Sequence, residues 1–167
     1  TYPDAYAVID SCEIEGGAIA GIAITGGANA EIKNSYIHHC LANGSGYGIS
    51  AEDGGNFVAH HCVFDSNRHH IASEGTSTIK YELYENDFYQ TAYHHSKSVA
   101  LPLSGGSHGV DSHAQGGFSD ETETAYNNYA SDSLIIRNNR FHGTTYDDTT
   151  TYVSSPNLAI KIRGVPK

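Results

Sequence analysis

IKNSYI, residues 32–37, decides the fold because the chain keeps returning to it. IDSCEI starts at Ile9, AHHCVF at Ala59, LYENDF at Leu83 and IRNNRF at Ile136. Each sextet sets an apolar residue, a polar stretch, and a second apolar residue five positions on. Each is followed by a short quartet: GIAI from Gly21, GISA from Gly48, HIAS from His70, GVDS from Gly109 and AIKI from Ala159. Successive sextets start 23, 27, 24 and 53 residues apart. Periods in the twenties mark a solenoid, in which each turn buries its apolar face against its neighbours.

Two short strands per turn, no helical periodicity and abundant Gly favour a parallel β-helix. A leucine-rich repeat lacks its leucine pattern here. A sandwich would need tight Asn-Gly or Asp-Gly hairpins, and only Asn43-Gly44 and Asp53-Gly54 qualify, both at expected corners. Stacking the quartets makes an inward column of Ile22, Ile49, Ile71, Val110 and Ile160, spaced about 4.8 Å per turn. The sextets give a second, Ile14, Ile37, Phe64, Phe88 and Phe141. Ser11, Asn34, His61, Glu85 and Asn138 share one corner, where side chains of adjacent turns are expected to bond each other and the bent backbone.

The bulk composition sets outer bounds. With 19 acidic residues against 9 Lys plus Arg, the net charge of −10 argues against a nucleic-acid backbone or an anionic bilayer as partner. It fits a secreted or salt-rich setting. The longest apolar run, near Ala18 to Ile24, is too short for membrane insertion. The chain carries no initiating Met or signal segment and reads as processed or excised. Cys12, Cys40 and Cys62 are odd in number and lack zinc-like spacing, so at least one thiol is free or pairs with another molecule.

The IxNxxI/F rungs, IKNSYI and IRNNRF, resemble the right-handed parallel β-helix superfamily of pectate lyases and related secreted proteins. NRHHIASEG (Asn67 to Gly75), YELYENDF (Tyr81 to Phe88) and HGVDSHAQGG (His108 to Gly117) are similar to segments of extracellular β-helix repeat proteins. The resemblance implies an all-β chain: a single right-handed solenoid domain over residues 1–167, of about five coils. Long insertions fall on the later coils, near 89–107, 114–132 and 142–157. It also implies an extracellular or cell-surface location.

Chemistry is expected on the outward positions of the quartet strands. Their columns read Gly21, Gly48, His70, Gly109, Ala159; then Ala23, Ser50, Ala72, Asp111, Lys161; then Thr25, Glu52, Glu74, His113, Arg163. Charged and imidazole groups gather on the later coils, where the long insertions also lie; such loops usually bind something. Asp111, His113, Lys161 and Arg163 are the candidate catalytic residues. His70 with Tyr126, Tyr129 and Tyr146 is the candidate contact set for a polysaccharide or other glycan, since tyrosine rings suit sugar faces. For a lyase, a cation must neutralise a uronate carboxylate while a base takes the neighbouring proton. Glu52, Glu74 and Asp111 offer hard oxygen ligands for Ca²⁺. Lys161, Arg163 or His113 is the base, as the pectate lyase resemblance implies.

The HH pairs at 38–39, 60–61, 69–70 and 94–95 are expected to split across the two faces of a strand, so that neither pair chelates alone. Across turns, His70 with Asp111 and His113 makes a mixed N/O metal site. Glu15, His38, Asp65, Tyr89 and His142 form a further column. A rival reading gives the charged ladder no catalytic role. The chain is then a structural surface or filament subunit, a homo-oligomer stacking end to end through open solenoid edges. Asn43-Gly44-Ser45 is a glycosylation acceptor sequence in a turn.

Overall fold

The computed structural model describes residues 5–42, 45–74, 79–89, 108–113, 131–142 and 158–163. Tyr126, Tyr129 and Tyr146, and the Asn43-Gly44 turn, lie outside them. The described residues form five coils of a parallel β-helix. The first has β1 (Tyr6–Asp10), β2 (Glu13–Glu15) and β3 (Ala20–Ile24); the second β4 (Asn29–Lys33), β5 (Tyr36–His38) and β6 (Tyr47–Glu52). The third has β7 (Asn56–His60), β8 (Val63–Asp65) and β9 (His69–Glu74); the fourth β10 (Lys80–Tyr84), β11 (Asp87–Phe88) and β12 (His108–His113). The fifth has β13 (Ser133–Arg137), β14 (Arg140–Phe141) and β15 (Leu158–Arg163). Equivalent strands pair in parallel, giving sheet A (β1-β4-β7-β10-β13), sheet B (β2-β5-β8-β11-β14) and sheet C (β3-β6-β9-β12-β15).

A coil therefore has three strands, not the two expected. Each sextet is broken at its third residue, where Ser11, Asn34, His61, Glu85 and Asn138 adopt φ of 56°, 51°, 54°, 55° and 55°. A left-handed residue turns the chain sharply, and it costs an L-residue roughly 1–2 kcal/mol. Asn and His are among the side chains enriched there. A second left-handed corner follows sheet B at Gly16, His39 and Ser66, with φ of 77°, 54° and 53°.

Both expected apolar columns are present. Ile22, Ile49, Ile71, Val110 and Ile160 are register partners in sheet C. Ile14, Ile37, Phe64, Phe88 and Phe141 are partners in sheet B. Phe64, Phe88 and Phe141 stack with centroids 4.9 and 4.7 Å apart. Sheet A adds Ile9, Ile32, Ala59, Leu83 and Ile136.

At the first corner the expected cross-turn contact is present at His61–Glu85, Nε2 to Oε2 at 2.7 Å, but the ladder that satisfies the bent backbone runs one residue later. Asn86 Oδ1 accepts the Cys62 N–H at 2.9 Å, and Asn86 Nδ2 donates to Ala59 O at 2.8 Å. Asn139 Oδ1 accepts the Asn86 N–H at 2.9 Å, and its amide donates to Leu83 O at 2.8 Å. Asn67 does the same at the second corner, accepting the Cys40 N–H and donating to Ile37 O, both at 3.0 Å. The bend strips backbone groups from the sheet ladders, and buried groups must be paired. The inward amide after the bend supplies the partners.

Candidate functional site

Sheet C does not alternate strictly at its start, and this rearranges the expected face. His70 and Ile71 are consecutive, yet both are fully buried inside the coil. His70 is thus a core residue, not the outward glycan contact or metal ligand expected. Its ring lies between Phe64 and Phe88, with centroids 6.0 and 5.9 Å away. Nε2 donates to Tyr89 O at 3.0 Å, and Nδ1 accepts from Asn67 Nδ2 at 3.1 Å. Burial pushes this imidazole down to about 4, so the ring is neutral. Nor are Gly48 and Gly109, in the same column, floor residues. A Cβ on Gly48 would meet His70 O at 2.6 Å, and one on Gly109 would meet Ala159 O at 2.5 Å. The backbone of the next coil passes too close for a side chain at these two positions.

The outward positions begin one residue earlier, and there the strands build a stack that the sequence reading missed. Tyr47, His69 and His108 are register partners on successive coils. Their rings are nearly parallel, with centroids 5.5 Å and 5.1 Å apart. Arg68 lies 5.9 Å over the Tyr47 ring. The signal was available: an aromatic or imidazole side chain precedes the quartet by one residue on three successive coils.

Asp111 joins this stack. Its Oδ2 is 3.8 Å from His69 Nε2. The His108 N–H donates to His69 Nδ1 at 2.9 Å, so neutral His69 carries its proton on Nε2, facing the carboxylate. Lys161 Nζ donates to His108 Nε2 at 3.4 Å and is the register partner of Asp111. Asp111 is 1% exposed and His69 and His108 are 3% exposed, whereas Lys161 is half-buried and forms the edge that meets solvent.

The last expected column holds in register: Glu52 pairs with Glu74, Glu74 with His113, and His113 with Arg163. The side chains of Glu74, His113 and Arg163 lie outside the described residues. Glu52 accepts a hydrogen bond from Ser50 Oγ at 2.7 Å, one column away from Asp111 and two coils below it. Of the expected Ca²⁺ ligands, Asp111 lies beside His69, and Glu52 is held by Ser50 rather than beside Asp111.

Two of the HH pairs also depart from expectation. His39 and His61 sit at left-handed corners, so each swings back onto its predecessor. The Nδ1 atoms meet at 2.7 Å in His38–His39 and 2.8 Å in His60–His61.

A coil of three parallel strands repeated five times, with inward aliphatic and aromatic columns, defines the β-helix class. The family model described as "Right handed beta helix region" matches residues 2–88, and the chain belongs to that family. Neither the curated proteins nor the solved structures give a match.

Proposed function

We propose that this domain binds polysaccharide on the outer face of sheet C, at the edge formed by Lys161, in an extracellular or cell-surface setting. The observation that carries the reading is the carboxylate of Asp111, buried on the outside of the sheet among His69, His108 and Lys161. The outer column of sheet A is different: Val8, Glu31, Val58, Glu82 and Ile135 are exposed or half-buried. Buried titratable groups gathered in one place are where binding and proton transfer concentrate. An acidic polysaccharide supplies the complement, since its uronate carboxylate suits the Lys161 ammonium.

The test is retention on immobilised polyuronate and on a neutral glycan. Retention on the polyuronate that Lys161→Ala abolishes supports the proposal. Equal behaviour of wild type, Lys161→Ala and Asp111→Asn on every glycan overturns it.

A further inference from the structure

We propose that Glu15, His38 and His39, at the corner after sheet B, bind a divalent transition-metal ion, Cu²⁺ or Ni²⁺ in preference to Ca²⁺ or Mg²⁺. One ligand atom from each residue lies within 4.8 Å of the others. Among the described residues, no other group of three or more His, Cys, Asp or Glu side chains is so placed.

His38 is held as a ligand would be. Its ring is buried and stacks on Tyr36 with centroids 4.0 Å apart. Its Nε2 lies 3.2 Å from Glu13 Oε1. An ionised carboxylate can only accept, so the neutral ring carries its proton on Nε2 and leaves Nδ1 bare. Metal-binding histidines characteristically have the second nitrogen held by such a partner. The bare Nδ1 faces His39 Nδ1 at 2.7 Å.

His39 reaches that position through its backbone. Its φ of 54° folds the ring back, and its N–H donates to Asp65 O at 3.2 Å, tying the corner to the next coil. The two rings stand at 82° to one another. Metal–nitrogen bonds of about 2.0–2.1 Å to atoms 2.7 Å apart subtend roughly 80–85°. That angle suits square or tetragonal coordination better than a tetrahedron, which favours Cu²⁺ and Ni²⁺ over Zn²⁺. Glu15 supplies an oxygen, and the exposure of Glu15 and His39 leaves the ion a path from solvent.

The His60–His61 pair is an internal control. Its Nδ1 atoms are 2.8 Å apart and its Nε2 atoms likewise lie on carboxylates, Glu31 at 3.1 Å and Glu85 at 2.7 Å. It has no third ligand among the described residues.

The test is calorimetric titration of chelator-treated protein with NiCl₂, repeated with CuCl₂ and followed by electron paramagnetic resonance. The expected result is one saturable equivalent, with nitrogen coupling in the Cu²⁺ spectrum. His39→Asn, whose new side chain tolerates the left-handed corner, should weaken binding at least tenfold. Glu13→Gln should weaken it about 10–100-fold, and His61→Asn should leave it unchanged. Glu15→Gln, on an exposed side chain, gives a second reading should His39→Asn fail to fold. An absent saturable equivalent overturns the proposal. So does an equivalent that survives His39→Asn and Glu15→Gln, or one that His61→Asn removes: the His38–His39 contact is then only an N–H···N bond.

Discussion

His69 Nδ1 accepts the backbone N–H of His108 at 2.9 Å, and that one bond turns the other nitrogen of His69 toward Asp111. The ring's Nε2–H then faces the Asp111 carboxylate at 3.8 Å, and Lys161 is the member of the cluster that meets solvent. On the proposed function, charge recognition therefore rests on Lys161, with Asp111 buried behind it. Lys161→Ala should abolish retention on polyuronate. Asp111→Asn, on a buried side chain, should leave retention within about threefold. Affinity electrophoresis on both variants checks the difference.

His70 makes the fold sensitive to acid. Its folded-state value is pushed down to about 4 by burial, while the unfolded ring protonates near 6.5. Between those values the unfolded chain holds the extra proton, so stability is complete above 6.5 and falls as pH drops toward 4. The interval is worth roughly 3 kcal/mol. Urea unfolding at pH 7, 5 and 4 should show this loss in wild type beyond that of His70→Gln. A gap between the two proteins that does not change with pH would remove the attribution.

Asn86 carries the first corner of two coils at once. Asn86→Ala would leave the Cys62 N–H and Ala59 C=O without their side-chain partner in a buried setting. Each such group costs about 1–3 kcal/mol. The expected destabilisation of roughly 2–5 kcal/mol should exceed that of Asn34→Ala. The Asn34 side chain bonds Asp10 Oδ1 at an exposed site. Denaturant midpoints for the two variants decide it.

The apolar columns were legible because stacking puts equivalent residues on one line, and Ile22, Ile49, Ile71 and Val110 keep that identity. The bends were not, because Ser11, His61 and Glu85 adopt a left-handed backbone without being glycine. The misplacement of His70 follows from the same cause. A strand entering from a sharp corner set two neighbouring residues inward, and strict alternation then assigned every earlier position to the wrong face. Asp111 and Lys161, each three residues past the start of its strand, were placed on the outward face because alternation had resumed. The partners that make Asp111 unusual, His69 and His108, precede the residue at which the strand was taken to begin.

Truncating the columns should be severe. Ile49 and Ile71 are fully buried between coils above and below, and a rigid stack closes poorly around a hole. Ile49→Ala and Ile71→Ala should each cost about 2–5 kcal/mol. Ile160→Ala, on a partly exposed register partner, should cost less than half as much. Thermal unfolding of the three variants ranks them, and equal costs would mean that Ile160 is covered in solution.

The three thiols give an independent view of how tightly the coils close. Cys12 is exposed, whereas Cys40 and Cys62 are buried, and all three are free. Burial pushes the Cys62 thiol up to about 11 and raises that of Cys40. Only the thiolate attacks a disulfide reagent, and it must also be reached. In native buffer one equivalent should therefore react promptly, and Cys12→Ser should remove it. Cys40 and Cys62 should react only as their coils open, at rates that measure local unfolding. The Cys62 N–H is held by Asn86 Oδ1 and its C=O accepts the Asp87 N–H, both at 2.9 Å, so its opening requires the third and fourth coils to separate. It should be slow in wild type and accelerated by Asn86→Ala far more than by Asn34→Ala. Prompt reaction of all three thiols in the native protein would mean that the stack does not close as the hydrogen bonds at its corners require.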